Sequence, residues 1–391
     1  MRALALIDGE HYAPVVRDAL ASLPYDVVAA LRVGGEEKLR GGEDYGVPLV
    51  DDLDAVEADV VVDLSDEPVL GPQARLLWAA RALALGLAYV GADFRFDPPP
   101  LEPVPVPSLA VIGLGKRVGK TAVSGHVARR LARERRVVVV AMGRGGPAQP
   151  ELVEAPPTLD DLLALARAGR HAASDHLEAA ALAGVPAVGC RRAGGGLAGA
   201  PFTSNVRAGL GLAAALEPEV LVFDGSGAAL PPVAADARIL VANGEHDPLA
   251  GLNAYRVLVA DLVVDTGGAD RAAIRSIADV PVVTARLTLR PAEPLRGRRT
   301  AVFTTGAAPT DGLDADVVHV SRNLARREAL RAELERVDAD VYLVELKAAA
   351  VDVVAEAALA REAEVVLAAN DVVCEELDER LPELLTTRSR R

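Results

Sequence analysis

Val111-Ile112-Gly113-Leu114-Gly115-Lys116-Arg117-Val118-Gly119-Lys120-Thr121 joins an apolar run to a glycine-rich turn. The apolar run Leu109 to Ile112 reads as a short buried strand, and Thr121 to Arg133 reads as a helix. Ala122, Val123, Val127, Leu131 and Ala132 form the apolar side of that helix. A strand, a glycine-rich turn ending in Gly-Lys-Thr and a helix make a phosphate-binding loop. Its successive backbone N–H groups and the helix N-terminus face an anion. The glycines remove the Cβ atoms that would hold the anion away. Lys120 is placed to reach the β- and γ-phosphates of ATP, and the Thr121 hydroxyl to ligate Mg²⁺. The expected nucleotide contacts in the loop are Gly113, Gly115, Arg117, Gly119, Lys120, Thr121 and Ala122.

Bulk composition limits what surrounds this loop. A chain of 391 residues allows one to three domains. It is 51% hydrophobic with a mean hydropathy of +0.22, but only 3% aromatic, so its cores must be filled by Ala, Val and Leu. A net charge of −14 argues against nonspecific nucleic-acid binding and against anionic membrane surfaces. Phosphate ligands therefore need local clusters of cations. Of 42 basic residues only Lys38, Lys116, Lys120 and Lys347 are lysines, and two of these four lie in the phosphate loop. Cys190 and Cys374 are too few and too far apart for a disulfide framework or a zinc spacing. No apolar run has the length of a membrane span, and no secretion signal opens the chain, so a reduced, cytoplasmic protein is expected.

Strands and helices alternate along the whole sequence, which predicts parallel sheets. Residues 1–97 read as an N-terminal Rossmann-like α/β domain. In it, Asp8-Gly9-Glu10-His11 and Asp63-Leu64-Ser65-Asp66-Glu67 follow apolar strands, over one crevice. These clusters are either a site or caps for the next helices. Six prolines in residues 98–107 suggest a stiff polyproline linker. Residues 108–295 form the P-loop ATPase domain, and residues 296–391 a C-terminal α/β segment packed with it.

Within the ATPase domain, the strand Arg136 to Met142 runs into Gly143-Arg144-Gly145-Gly146, a turn suited to an anion. Cys190-Arg191-Arg192-Ala193-Gly194-Gly195-Gly196 pairs bidentate guanidinium groups with glycine N–H groups, so Arg144, Arg191, Arg192, Gly194 and Gly195 are the candidate substrate contacts. Asp224 ends an apolar strand where a P-loop fold needs a carboxylate for Mg²⁺ or water, which pairs it with Thr121 as a metal ligand. Asn243 lies where such folds contact the base. His171 and His176 are five apart, off one helix face, and read as non-ligands. Arg322 and Lys347 sit at strand ends and are placed to line the same cleft.

The loop spacing, with Leu114 where the common pattern has glycine, resembles the dethiobiotin synthetase-like members of the SIMIBI class of P-loop proteins. That class often carries an extra loop lysine, which makes Lys116 a candidate catalytic residue beside Lys120 and Asp224. Gly113 to Gly125, Ala5 to Tyr12, Asp63 to Pro68, Met142 to Pro147, Cys190 to Gly196 and Glu345 to Ala350 together resemble the cyclic 2,3-diphosphoglycerate synthetase family over nearly the full chain. The resemblance implies ATP-dependent closure of 2,3-diphosphoglycerate to its cyclic phosphoanhydride, with ADP and phosphate released. It also implies Mg²⁺ dependence, a cytoplasmic location and a homodimer. A dethiobiotin-synthetase-like ligase, a 2-phosphoglycerate kinase and a non-enzymatic SIMIBI nucleotide switch remain as alternatives.

Overall fold

The computed structural model describes residues 1–306 and 309–386 and divides the chain into two compact units. The first contains Met1–Pro100 together with Asp247–Val259 and Asp270–Val280. Its sheet has six strands in the order Leu49–Val50, Asp26–Arg32, Arg2–Ile7, Val60–Asp63, Ala88–Val90 and Arg95–Phe96. All neighbours are parallel except the last pair. The inner strands Arg2–Ile7 and Val60–Asp63 are buried almost throughout, as continuous Val/Leu/Ala runs between covered faces require.

The two acidic clusters follow those inner strands, and the Asp8 and Asp63 carboxylates are hydrogen-bonded within them. Asp8 Oδ1 accepts from the Glu10 and His11 backbone N–H groups at 3.0 and 3.1 Å and lies 2.8 Å from His11 Nδ1, while Oδ2 accepts from Asp66 N at 2.7 Å. Asp63 accepts from Ser65 N at 2.9 Å and from the Tyr89 hydroxyl at 2.7 Å. Both residues thus fix their loops.

The second unit holds the phosphate loop, two main sheets and a short two-stranded pairing. Its larger sheet is built around Ser108–Gly113, with all six residues buried, flanked in parallel by Val220–Asp224 and Ala237–Ala242. Outward on one side lie Val137–Gly143, Ala187–Ala193 and the antiparallel Glu151–Val153, and on the other Leu262–Asp265 and Val282–Thr284. Helix Lys120–Leu131 buries Ala122, Val123, Val127, Ala128 and Leu131. Ala132 was expected on that face but caps the helix and is exposed.

The proline-rich stretch is no free spacer. Glu102–Pro103 pairs with Val233–Ala234, the Glu102 N–H bonds to the Pro232 carbonyl at 2.9 Å, and the second unit starts at Leu101. The smaller sheet runs Arg286–Pro291, Glu364–Val373, Val341–Glu345, Arg299–Phe303 and Asp316–Ser321, antiparallel only in its first pair. Val372, Cys374, Leu377, Leu381, Leu384 and Leu385 share one apolar core with Val111, Val123 and Val222.

Charge supports that junction. His126 Nε2 lies 2.7 Å from Asp378 Oδ1, Arg129 pairs with Asp371, and Arg290 Nε lies 3.3 Å from Asp371. Burial alone would lower the His126 pKa, but bonds to Asp371 and Asp378 outweigh it and hold the imidazolium above 6.5. Asp371 would be raised by burial, yet His126 and Arg129 hold it down at about 2. The His126 contribution is complete below its unfolded pKa of about 6.5 and is lost as pH rises through the raised folded value. The Asp371 contribution is present above 3.8 and lost as pH falls toward about 2. His126→Gln should therefore lower the melting temperature by roughly 2–4 °C at pH 5–6. The gap to the unmodified chain should close by pH 9 in thermal melts, and a pH-independent gap would assign His126 a packing role only.

Candidate active site

Sequence dictates the shape of the phosphate loop through its neighbours. A Cβ on Gly113 would come 2.9 Å from Val118 Cγ2, and one on Gly115 would enter the His246 ring at 2.2 Å. Gly119 and Arg117 have left-handed backbone, φ +83° and +61°. Three loop carbonyls are tied back by side chains that follow the adjoining strands. His246 Nε2 donates to Lys116 O at 2.8 Å, Asn243 Nδ2 to Arg117 O at 3.3 Å, and Thr266 Oγ1 to Val118 O at 2.8 Å. In a trans peptide the N–H points opposite its carbonyl. The N–H groups of Arg117, Val118 and Gly119 are thereby turned away from these three side chains. Leu114, at the usual glycine position, is buried and donates its N–H to Val241 O at 3.2 Å.

Lys120 is buried, with Nζ 2.7 Å from Asp224 Oδ1 and a second bond to the Gly225 carbonyl. Burial raises the Asp224 pKa, and the Lys120 charge opposes that rise without cancelling it. Asp224 stands behind Lys120 and shares a small cavity of about 20 Å³ with Thr121 and Glu178.

The main cavity, about 670 Å³, opens in front of the loop. It is lined by Lys116, Arg117, Lys120, Arg144 and Lys347, against Asp175, Glu245 and Glu345, so the chain's negative balance is reversed there. Gly115, Gly119, Thr121, Ala122 and Asn243 line it as the sequence predicts. Gly113 lies deeper, at the buried end of its strand. Gly143 to Gly146 carry exposed Arg144 to the opening, and a Cβ on Gly146 would strike the Cys190 carbonyl at 2.1 Å.

The paired arginines are arranged differently from the expectation. Neither Arg191, Arg192, Gly194 nor Gly195 lines the cavity. Arg191 is exposed, and its backbone N–H bonds to Asn205 Oδ1 at 2.7 Å. The Arg192 guanidinium donates to the Gly194 carbonyl at 2.7 Å and to the Ser226 carbonyl at 2.8 Å. It holds the Ser226-Gly227 turn, which does line the cavity. Consecutive strand residues face opposite ways, so a strand cannot aim both guanidinium groups at one ligand.

Asp175 and Thr305, which the sequence does not single out, complete the site with His171, read from sequence as a non-ligand, and Glu345, the first residue of the quoted stretch Glu345 to Ala350. All four line the cavity. Glu345 accepts from Thr305 N at 2.6 Å, from Thr305 Oγ1 at 3.0 Å and from the Asn370 amide, and so fixes the turn above the loop. Glu345 was signalled by its place at a strand end and by the resemblance of Glu345 to Ala350.

A buried lysine at the head of a helix, behind a glycine loop on a parallel sheet, defines a P-loop nucleotide-binding enzyme. Its ATP-binding character follows from that domain. Family models for the cyclic 2,3-diphosphoglycerate synthetase N-terminal, P-loop and C-terminal domains match residues 2–97, 108–280 and 291–371. The cyclic 2,3-diphosphoglycerate synthetase of Rubrobacter xylanophilus is 46% identical, with 97% of this chain and 96% of that one aligned. That of Thermococcus kodakarensis is 44% identical over 95% and 94%. The chain belongs to the cyclic 2,3-diphosphoglycerate synthetase family. The solved structure of LpxK from Aquifex aeolicus with ATP is a distant match, with a TM-score of 0.44 at 16% identity over 73% of this chain and 90% of that one. Among the described residues no helix is long and apolar enough to cross a membrane.

No protein nucleophile competes with this chemistry at Cys190. It is 1% exposed, and burial pushes its thiol up to about 12. At pH 8 only about one such thiol in ten thousand is ionised. Iodoacetamide should leave Cys190 unmodified in the native enzyme and modify it fully in denaturant, as peptide mass mapping would read. Native labelling would overturn the buried, protonated assignment.

Proposed function

We propose that this enzyme converts 2,3-diphosphoglycerate to cyclic 2,3-diphosphoglycerate at the expense of ATP. The observation that carries the reading is the single cavity of about 670 Å³ in which the phosphate loop meets separate cations, Arg144 and Lys347, on other segments. Such a chamber suits a nucleotide and a second polyanion together, and the family relatives carry this activity in their name.

Closing two phosphates of one molecule into an anhydride brings like charges together and needs an activated leaving group. An oxygen of one substrate phosphate attacks the γ-phosphorus of ATP, and the bond to the β-bridging oxygen breaks, with ADP leaving on that electron pair. An oxygen of the other substrate phosphate then attacks the activated substrate phosphorus. The new P–O–P bridge closes the ring, and orthophosphate departs with the bonding pair and takes a proton from solvent. Catalysis by the chain is positioning and charge neutralisation.

Lys120 holds the β- and γ-phosphates, the loop N–H groups bind the nucleotide's phosphate oxygens, and Lys116 lies on the same rim. Arg144 holds the substrate, while Arg192 acts through the turn it fixes. Thr121 and Asp224 share one small cavity, and a hydroxyl and a carboxylate beside phosphate oxygens are the donors Mg²⁺ takes. Thr121 and Asp224 would hold Mg²⁺, which would supply positive charge against the developing negative oxygens. A homodimer and a cytoplasmic location are proposed on the family resemblance.

Phosphorus NMR of the full chain with ATP, Mg²⁺ and 2,3-diphosphoglycerate should show the cyclic anhydride with equal ADP and phosphate. A kinase would stop at a phosphorylated substrate, and a nucleotide switch would release ADP alone. Lys120→Ala should reduce turnover at least about 1000-fold while the chain melts normally, because a transition-state charge is removed. Arg144→Ala should raise the KM for diphosphoglycerate roughly tenfold, and Arg191→Ala should not. The reverse ranking in steady-state kinetics would return substrate binding to the arginine pair.

A further inference from the structure

The cavity contains one ammonium group that the phosphate loop does not supply. Lys347 follows strand Val341–Glu345 of the smaller sheet, and its Nζ lies 3.4 Å from Glu178 Oε1. Glu178 is 8% exposed, whereas the Lys347 side chain is 28% exposed and lines the cavity with Lys120. Both partners stand at unusual backbone. Glu178 immediately precedes the π-helical turn Ala179–Ala183, and Lys347 lies just ahead of the π-helical turn Ala350–Ala355. Such widened turns are frequent at functional sites.

Composition sets Lys347 further apart. Three of the four lysines in the chain, Lys116, Lys120 and Lys347, line this one cavity, while nearly every other cation is an arginine. For a lone buried carboxylate the guanidinium fork is the better fixed partner. A lysine offers instead a compact charge on a flexible stem that can change partners. The carboxylate side of the pair is poorly satisfied. Burial holds Glu178 up at about 7 in spite of Lys347, and burial would lower Lys347 but for Glu178, Glu345 and Asp175, which hold it above its usual value. Lys347 and Lys120 both line the cavity, one from each sheet.

We propose that Lys347 is a catalytic residue whose ammonium leaves Glu178 to hold the phosphoryl group that passes from ATP to the diphosphoglycerate. The proposal rests on the function given above and adds a phosphate contact carried by the smaller sheet. Lys347 neither gains nor loses a proton in either displacement. It offsets charge on the equatorial phosphoryl oxygens while the bonds already described form and break. Glu178 keeps the ammonium in place until an anion arrives.

The test uses the full chain as Lys347→Met, Lys347→Arg and the double variant Glu178→Gln with Lys347→Met. Calorimetry reads 2,3-diphosphoglycerate and an ATP analogue with a β,γ-imido bridge separately, and phosphorus NMR reads turnover. Lys347→Met should bind diphosphoglycerate roughly 10- to 100-fold more weakly. Its kcat should fall roughly 100- to 1000-fold, and nucleotide affinity should stay within about threefold. Lys347→Arg should recover part of the binding. The double variant removes both charges, so it should melt like the unmodified chain and remain inactive. Turnover restored in the double variant would overturn the proposal, because Lys347 would then serve only to neutralise Glu178. An unmodified chain that forms no cyclic product would overturn the function and this proposal with it, whereas product formation matched by the double variant overturns this proposal alone.

Discussion

The ion pair between Lys120 and Asp224 is the constraint on which the rest of the site depends. A buried ammonium without a partner is untenable, and so is a buried carboxylate. The pair lets the loop and the adjoining strand close on each other before any ligand is present. Lys347 and Glu178 repeat the arrangement from the smaller sheet. Each pair holds its ammonium at the cavity with a carboxylate that stands outside the cavity's own lining. In a chain of net charge −14 this local reserve of cations is what draws a polyanion inward.

The loop itself was legible from sequence because its determinants are local. Glycines at 113, 115 and 119 and the Lys120-Thr121 pair each act within one turn of their own position, and the apolar spacing of the following helix is a property of that helix alone. Asp224 was legible for the same reason, since a strand's last residue falls at the sheet's carboxyl edge. The arginine pair misled because composition reveals charge but not orientation. Arg192 is consumed by two carbonyls that only the folded chain brings near. Asn243 lines the cavity, and its amide supports the loop through the Arg117 carbonyl.

What the sequence could not disclose is chiefly the contribution of distant segments. Thr305 and Asn370 reach the cavity because the smaller sheet shares a core with the phosphate-loop helix, while of the two strand-end cations expected at the cleft Lys347 lines it and Arg322 does not. That sharing is sealed by His126, Arg129 and the Asp371 and Asp378 carboxylates, more than 200 residues apart in the chain. The proline stretch is a similar case. Read alone it is stiff and extended, and a partner strand at Val233–Ala234 turns the same stiffness into an edge pairing.

The first unit has a consequence for how the protein is made. Besides Met1–Pro100 it requires Asp247–Val259 and Asp270–Val280, and helix Asn253–Leu258 packs on helix Pro72–Ala84 within it. Ribosomes deliver the amino terminus first, at roughly 5–20 residues per second. The six strands of this sheet are therefore in hand well before their last two helices exist. During that interval, roughly ten seconds or more at those rates, part of helix Pro72–Ala84 has no cover. The amino-terminal unit is complete only after the phosphate loop, which lies earlier in the chain than those helices, has already been synthesised.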